Sequence, residues 1–333
     1  MKKICLISPE IGKDKGGIQN WMYYVKSLLE HKNYKIDDYI YKESKVFKLI
    51  DVYKSNVFIL ATWKMAIFIL PSLLISKKKV FIFVHGNEIL NLNIVFTSIL
   101  HFLSKRKNTY FIANSEAISD LFFDITKRKV DFIQYPFMQI DKNLNKVNEK
   151  KNKNIFFTIT RLVKRKNIKN VIYAFDRLKK EKFPFLYNIA GNGPEIDGLV
   201  KLVSSLKLDK EVKFVGKISE QQKKYYYLNS DFFLLPSIFD ESDGSIEGYG
   251  IVFIEANSYS IPVLSGNTGG MLEAVINEKT GLHSTGSIED IYHKIKKLVA
   301  MDFDSNYLYN HAKKHDFLEQ TNFLNFFHKK TNE

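Results

Sequence analysis

Short runs of almost wholly apolar residues alternate along this chain with segments of helical length, and that alternation restricts the fold more than any other feature. In the first half the runs are Ile4–Ser8, Asp38–Tyr41, Val57–Thr62, Val80–Val84, Tyr110–Ala113 and Asp131–Gln134. A strand apolar on both faces belongs in a parallel sheet covered by helices on each side. The intervening segments carry the matching helical spacing, as in Ile18–Leu29 and Ile94–Leu103. Asp141–Asn154 then turns to Lys, Asn and Glu, the texture of a linker. After it the alternation restarts with strands Ile155–Thr160, Leu186–Ala190, Val212–Val215, Asp231–Leu235 and Val263–Leu264. Helices Ile168–Lys180, Glu195–Ser205, Glu220–Leu228 and Val252–Tyr259 lie among them. The expectation is α/β, with two doubly wound, Rossmann-like parallel-sheet domains in succession. A length of 333 residues suits two cores better than one. The tail reads as helices Ile288–Ala300 and Phe317–Lys330. The last must bury a Phe/Leu-rich face, by crossing back onto the first domain or by meeting a second copy.

Composition removes several classes. One cysteine, Cys5, excludes an internal disulfide and fits a reducing, cytoplasmic setting. The apolar run at the N-terminus is too short for a secretory leader and reads as a buried strand. Val57–Ile75 is long enough to test as a membrane span. However, Lys64 at its centre would cost about 2.5–3.5 kcal/mol and Pro71 interrupts it. A strand, a buried helix from Trp63 to Ser76 and a second strand fit better. The net charge is +14 and uneven, with 24 Lys and Arg against 14 Asp and Glu in residues 1–150. That imbalance suits an anionic partner such as a lipid leaflet or a polyphosphate. No nucleic-acid-binding motif accompanies it.

In open α/β sheets, ligands bind beyond the carboxyl ends of the strands, and the unusual residues of this chain collect there. Gly16-Gly17 leads from the first strand into a helix, where backbone N–H groups can meet an anion. His85-Gly86 ends Val80–Val84, placing an imidazole that can donate a hydrogen bond into a cleft. Arg161 and Lys166 sit at a strand-to-helix corner, a fork and a point charge suited to a diphosphate. Lys164-Arg165-Lys166 also reads as a solvated basic run. Gly191-Asn192-Gly193-Pro194 and Ser265–Gly270 are small-residue loops at strand ends. Most informative is Glu247-Gly-Tyr-Gly-Ile-Val-Phe-Ile-Glu255, two carboxylates eight positions apart around the start of an apolar helix. The acidic loop Asp240-Glu241-Ser242-Asp243 could bind a hard cation, yet its Ser/Gly-rich surroundings favour a solvated or substrate-contacting loop. No metal site and no cofactor are expected.

In their order and spacing these residues resemble the retaining glycosyltransferases of family 4, which have the GT-B fold: two Rossmann-like domains facing a cleft. The matching positions are Gly16-Gly17, His85-Gly86, Arg161 with Lys166, Ala-Gly-Asn-Gly-Pro at 190–194, Val212–Gly216, Pro236-Ser237, Glu247 with Glu255, and Gly269-Gly270. The resemblance implies an acceptor-side domain over 1–150 joined by a C-terminal helix at about 316–333, and a nucleotide-sugar domain over 151–315. It implies a hexosyltransferase in which His85 and Glu247 serve catalysis at the reacting carbon. Donor binding would fall to Gly16, Gly17, Arg161, Lys166, Gly191, Val215, Lys217, Ile218, Gly250, Ile251, Val252, Phe253 and Glu255. Arg161 and Lys166 would neutralise the diphosphate, Glu255 would accept from the ribose hydroxyls, and Val215–Ile218 would lie near the base. The donor would be a UDP-sugar or, next, a GDP-sugar. The acceptor would be a glycan or lipid-linked oligosaccharide of a surface polysaccharide, lipopolysaccharide or O-antigen pathway, met at the inner face of the membrane through the basic first domain. Competing readings are a nucleotide-sugar epimerase, a nicotinamide oxidoreductase (which the missing G-x-G-x-x-G opposes) and a glycan-binding protein. Two positions depart from the family pattern. Asn167 follows the binding lysine where glycine is usual, which requires a left-handed or helix-start backbone. Ser237–Glu247 is also longer than usual.

Overall fold

The computed structural model describes residues 3–12, 16–40, 52–141, 154–240 and 244–333. Most of the linker-like segment and Glu241-Ser242-Asp243 of the acidic loop therefore lie outside the described residues. The chain divides into two units, Met1–Gln139 with His315–Glu333, and Ile140–Lys314. Each holds one six-stranded sheet in which every pairing is parallel.

In the first unit the strands are β1 (Ile4–Ser8), β2 (Ile36–Ile40), β3 (Val57–Leu60), β4 (Lys79–Val84), β5 (Thr109–Ala113) and β6 (Phe132–Ile133), in the spatial order β2-β1-β3-β4-β5-β6. Every residue of β1, β3 and β5 is buried, as strands covered on both faces must be. Helix α1 (Gly17–His31) covers one side with Trp21, Val25, Leu28 and Leu29. Between β3 and β4 the expected single helix is instead a 3-10 run, Trp63–Ile69, followed by α2 (Leu70–Ile75). Pro71 lies in the first turn of α2, where its missing N–H costs nothing. Two longer helices, α3 (Ile94–Lys105) and α4 (Glu116–Thr126), begin at Asn93 and Ser115, whose side chains cap the N–H groups of Phe96 and Ile118. Among the described residues no helix is long and apolar enough to cross a membrane.

The second unit has β7 (Asn154–Ile159), β8 (Phe185–Ala190), β9 (Val212–Gly216), β10 (Phe232–Leu235), β11 (Val263–Gly266) and β12 (Gly281–Ser284), ordered β12-β11-β10-β7-β8-β9. Counted within the unit this is 3-2-1-4-5-6, the dinucleotide-fold order, with the reversal between β7 and β10. Its helices are α5 (Ile168–Lys180), α6 (Ile196–Ser205), α7 (Glu220–Leu228), α8 (Ile251–Ser258), α9 (Met271–Ala274), α10 (Ile288–Ala300) and α11 (Ser305–Lys313). Strand β12 and helices α9 and α11 are additional to the sequence expectation. The final helix, α12 (Thr321–Asn332), packs in the first unit. Phe327 meets Phe81 at 4.6 Å between ring centroids, and Phe326 stacks on Phe132 at 4.7 Å. Two doubly wound sheets and a last helix returned to the first unit make up the GT-B plan that the resemblance implies.

Candidate active site

The point where strand order reverses opens a crevice beyond the carboxyl ends of the two flanking strands. In the second unit those strands are β7 and β10, and the segments leaving them carry most of the polar residues singled out above. After β7 the chain runs through Arg161 into a 3-10 turn, Lys164–Lys166, and then α5. After β10 it runs through Pro236 to Glu247 and α8. The N–H of Ile238 donates to the carbonyl of Arg165 at 2.8 Å, tying the two segments together.

Asn167 is the hinge of that corner. Its backbone is left-handed, φ 59°, as its place after the lysine requires. Its side-chain amide donates to the carbonyls of Pro236 (3.2 Å) and Gly286 (2.8 Å). Asparagine therefore supplies the conformation a glycine would, and adds two links to segments leaving β10 and β12.

Glu247 lies between two cations. Nη1 of Arg165 is 2.8 Å from Oε2, and Nζ of Lys166 pairs with the same oxygen. All three side chains are at most one-fifth exposed. Burial alone would raise the Glu247 pKa, but attraction to Lys166 and Arg165 and their hydrogen bonds outweigh it and hold the carboxyl at about 2. Burial pushes the Lys166 ammonium down, Glu247 pulls it back up, and the neighbouring Arg165 adds to the lowering. Glycines let the supporting loop approach. A Cβ on Gly266 would overlap the carbonyl oxygen of Ser237, and one on Gly270 that of Gly248. The loop Ser265–Gly270 is thus pressed against the backbone on either side of Glu247.

Arg161 is exposed, and its side chain has no partner among the described residues. It adds a further cation to the segment whose Arg165 and Lys166 share the Glu247 carboxylate. Gly250 enters α8 with φ 88°, and the N–H groups of Ile251 and Val252, at the first turn, have no intrahelical acceptor. Phe253 donates its own N–H to Gly250 at 3.0 Å, and its buried ring lies close to the Cα of Gly250. A helix start of this kind favours an anion.

Glu255 stands on α8, buried, with one donor on each carboxylate oxygen: Lys223 at 3.3 Å from Oε1 and the Tyr227 hydroxyl at 3.1 Å from Oε2. Gly191 has a structural part. Its N–H donates to Gly216 at 2.7 Å, and a Cβ would overlap the Thr160 carbonyl. Val215, Lys217 and Ile218 lie at the carboxyl end of the edge strand β9, half-buried to exposed.

In the first unit the order reverses between β1 and β3. Gly16, φ 125°, precedes α1 and Gly17 opens it. His85 follows β4, buried beside the end of β3. Its Nε2–H donates to the Ala61 carbonyl at 2.7 Å, and Trp21 meets the ring edge-on at 5.3 Å. Burial lowers its pKa below the ordinary histidine range, against the pull of Glu88 and the Ala61 carbonyl. A neutral imidazole whose N–H is already engaged offers an acceptor, Nδ1, in place of the donor expected from sequence.

Sequence reasoning did not single out three residues of these clusters. Arg165 was hidden in a basic run. Lys223 and Tyr227 are four apart on α7, so their common face was available as a signal.

The profile of the family described as Glycosyl transferases group 1 matches residues 139–315. The GDP-mannose-dependent alpha-(1-6)-phosphatidylinositol monomannoside mannosyltransferase of Mycobacterium tuberculosis (strain CDC 1551 / Oshkosh) is 30% identical over 142 residues, 42% of this chain and 37% of that protein. The amylovoran biosynthesis glycosyltransferase AmsK of Erwinia amylovora is 31% identical over 124 residues, 37% of this chain and 30% of its own length. The alignments thus span only about a third of these relatives' own length. Among solved structures, Anabaena Alr3699/HepE in complex with UDP-glucose superposes with a TM-score of 0.73 at 16% identity, covering 100% of both chains.

Proposed function

The chain belongs to the group 1 glycosyl transferases, and we propose that it is a retaining hexosyltransferase that uses a nucleotide-diphosphate sugar. The observation that carries this reading is the cationic corner at the β7/β10 reversal, where Arg165 and Lys166 share one carboxylate, Glu247, and Arg161, leading out of β7, keeps its side chain without a partner among the described residues. Arg165 and Lys166 outweigh the one carboxylate they pair with, and Arg161 adds a further cation on the same segment, which favours the negative charges of a sugar diphosphate. As the glycosidic bond breaks, charge grows on the leaving diphosphate, and fixed cations beside a helix start stabilise it without reorganisation. In this assignment Arg161 and Lys166 bind the diphosphate, assisted by the open N–H groups of α8 at Ile251 and Val252 and of the Gly16-Gly17 turn. Glu255 accepts from the ribose hydroxyls, and Val215–Ile218 flank the base. Glu247 serves the reacting sugar, and His85 offers Nδ1 to a substrate hydroxyl. The leaving phosphate takes the proton of the acceptor hydroxyl as that oxygen attacks the same face of the sugar, and no metal is required. Trapping a covalent sugar adduct on Glu247 would overturn that same-face step.

The bound UDP-glucose of the Anabaena protein supports a UDP-sugar donor, and the GDP-mannose dependence of the mycobacterial relative makes a GDP-sugar the next choice. The acceptor is a glycan or lipid-linked oligosaccharide of a surface-polysaccharide pathway. Two features support this: the phosphatidylinositol mannoside and amylovoran relatives, and the excess of Lys and Arg in residues 1–150, which suits the anionic inner face of a membrane. The test is a transfer assay with UDP-, GDP-, ADP- and dTDP-sugars on extracted glycolipids. Arg161→Ala and Lys166→Ala should each lower turnover by about a hundredfold or more, and a chelator should change nothing. Full activity in both variants would end the assignment, and donor turnover without acceptor would turn it to an epimerase.

A further inference from the structure

Glu255 is held in an unusual way for a buried carboxylate. Lys223 reaches one oxygen at 3.3 Å and the Tyr227 hydroxyl the other at 3.1 Å, and among the described residues no third donor hydrogen-bonds this carboxylate, the nearby Tyr259 acting on it only through its charge. Both donors are themselves fixed. Glu220 grips the Lys223 ammonium at 2.9 Å from the preceding turn of α7. Tyr227 is fully buried, stacked on Tyr259 at 5.0 Å and edge-on to Phe157 at 5.2 Å. Residues four apart on a helix share a face, so α7 presents ammonium and hydroxyl together, one to each carboxylate oxygen.

An ionised carboxylate has about four acceptor sites, two on each oxygen. One protein donor on each oxygen leaves one site open on each, in a plane that the two donors fix. The side chain is one-tenth exposed, which gives those sites an outlet. Two acceptors held side by side match two hydroxyls on adjacent carbons. We propose that Lys223 is a positioning residue which, with Tyr227, fixes the Glu255 carboxylate to read the vicinal 2′,3′-diol of a ribose, so that the site selects ribonucleotides over 2′-deoxyribonucleotides. The inference rests on the nucleotide-sugar reading and adds to it a reason for excluding deoxyribose donors such as thymidine diphosphate sugars. A 2′-deoxy ligand fills one of the two open sites and leaves the other acceptor desolvated and unpaired, an arrangement that discriminates strongly.

Titration calorimetry of the full chain tests this. UDP, GDP and ADP are measured first, and the tightest is then compared with its 2′-deoxy counterpart. The wild type should prefer the ribonucleotide by about tenfold to a hundredfold. Lys223→Met keeps the length of the side chain and removes the donor. It should weaken the ribonucleotide about tenfold and the deoxy compound far less, so that the ratio falls toward one, and Lys223→Arg should restore it. Thermal melts report whether each variant folds. If Lys223→Met does not fold, Tyr227→Phe removes the other donor and should lower the same ratio. A ratio unchanged in the variants, or equal weakening of both ligands, would overturn the role of Lys223 while leaving the donor reading in place. Failure of the wild type to bind any of the three nucleotides would remove both.

Discussion

At the scale of single residues, Glu247 ties the candidate chemistry to stability. Its folded pKa of about 2 lies below the roughly 4.3 of a free glutamate. A depressed carboxylate stabilises the fold above its unfolded pKa, and the contribution is lost as pH falls through the folded value. At about 1.4 kcal/mol per unit the stabilisation at neutral pH is at most about 3 kcal/mol, less what the burial of Lys166 costs. Glu247→Gln keeps the shape and drops the charge. Urea unfolding should therefore show wild type and variant far apart at pH 7 and converging between pH 5 and pH 2, and a gap that is flat with pH would contradict this electrostatic account. Glutamine is a better probe than alanine, because its amide oxygen still accepts a hydrogen bond from the buried ammonium and its bulk leaves no cavity. The two glutamates were legible in the sequence because their spacing around glycines and a helix start is distinctive, and Lys166 because it stands with Arg161 at a strand-to-helix corner. Arg165 was not, since a basic run reads the same whether solvated or turned onto a carboxylate. The direction of the His85 proton was also hidden, because it depends on the Ala61 carbonyl one strand away.

At the scale of elements, the corner between β7 and α5 shows how one side chain holds a site together. Asn167 accepts a left-handed backbone and spends its amide on Pro236 and Gly286. Asn167→Ala adds strain of roughly 1 kcal/mol and removes a buried hydrogen bond worth about 1 kcal/mol from the Pro236 carbonyl. The Gly286 carbonyl keeps a donor from Asn170 at 2.9 Å. Asn167→Gly loses the same bond but relieves the backbone. Chemical denaturation should thus place Ala about 2 kcal/mol below wild type and Gly within about 1 kcal/mol, and the reverse order would refute the left-handed assignment. The left-handed backbone was legible because the resemblance puts glycine after the lysine and asparagine is the residue that best tolerates the same conformation. Sequence read the buried strands well too, because β1, β3 and β5 are apolar at nearly every position. It missed β12, four residues of which Leu282 alone is a large apolar one, since pairing with β11 makes that strand. Between Trp63 and Ser76 apolar composition signalled burial, but Pro71 and local packing decided the 3-10 run.

At the scale of the whole molecule, the chain leaves its first unit after Gln139 and re-enters it at His315. The returning segment completes a core. Phe323 and Phe327 are buried, Phe327 lies against Phe81, Phe323 is 6.1 Å from Phe83, and the Lys330 carbonyl accepts from Lys79 at 2.7 Å. Without α12 this face of the first sheet would meet water. A single Phe327→Ala should cost about 3–5 kcal/mol, and removal of everything after Lys314 should exceed what a domain of ordinary stability can lose. The second unit takes no strand or helix from either segment of the first, so its core should survive the cut. Limited proteolysis of the truncated chain should accordingly degrade residues 1–139 and spare a fragment spanning 154–314. The same sample should still gain melting temperature from whichever nucleotide stabilises the full chain, because binding to the folded unit alone raises it. Equal protease resistance of residues 1–139 with and without the last helix would mean that the first unit does not depend on it. A lost thermal shift with the 154–314 fragment intact would mean that nucleotide binding needs more than the second unit.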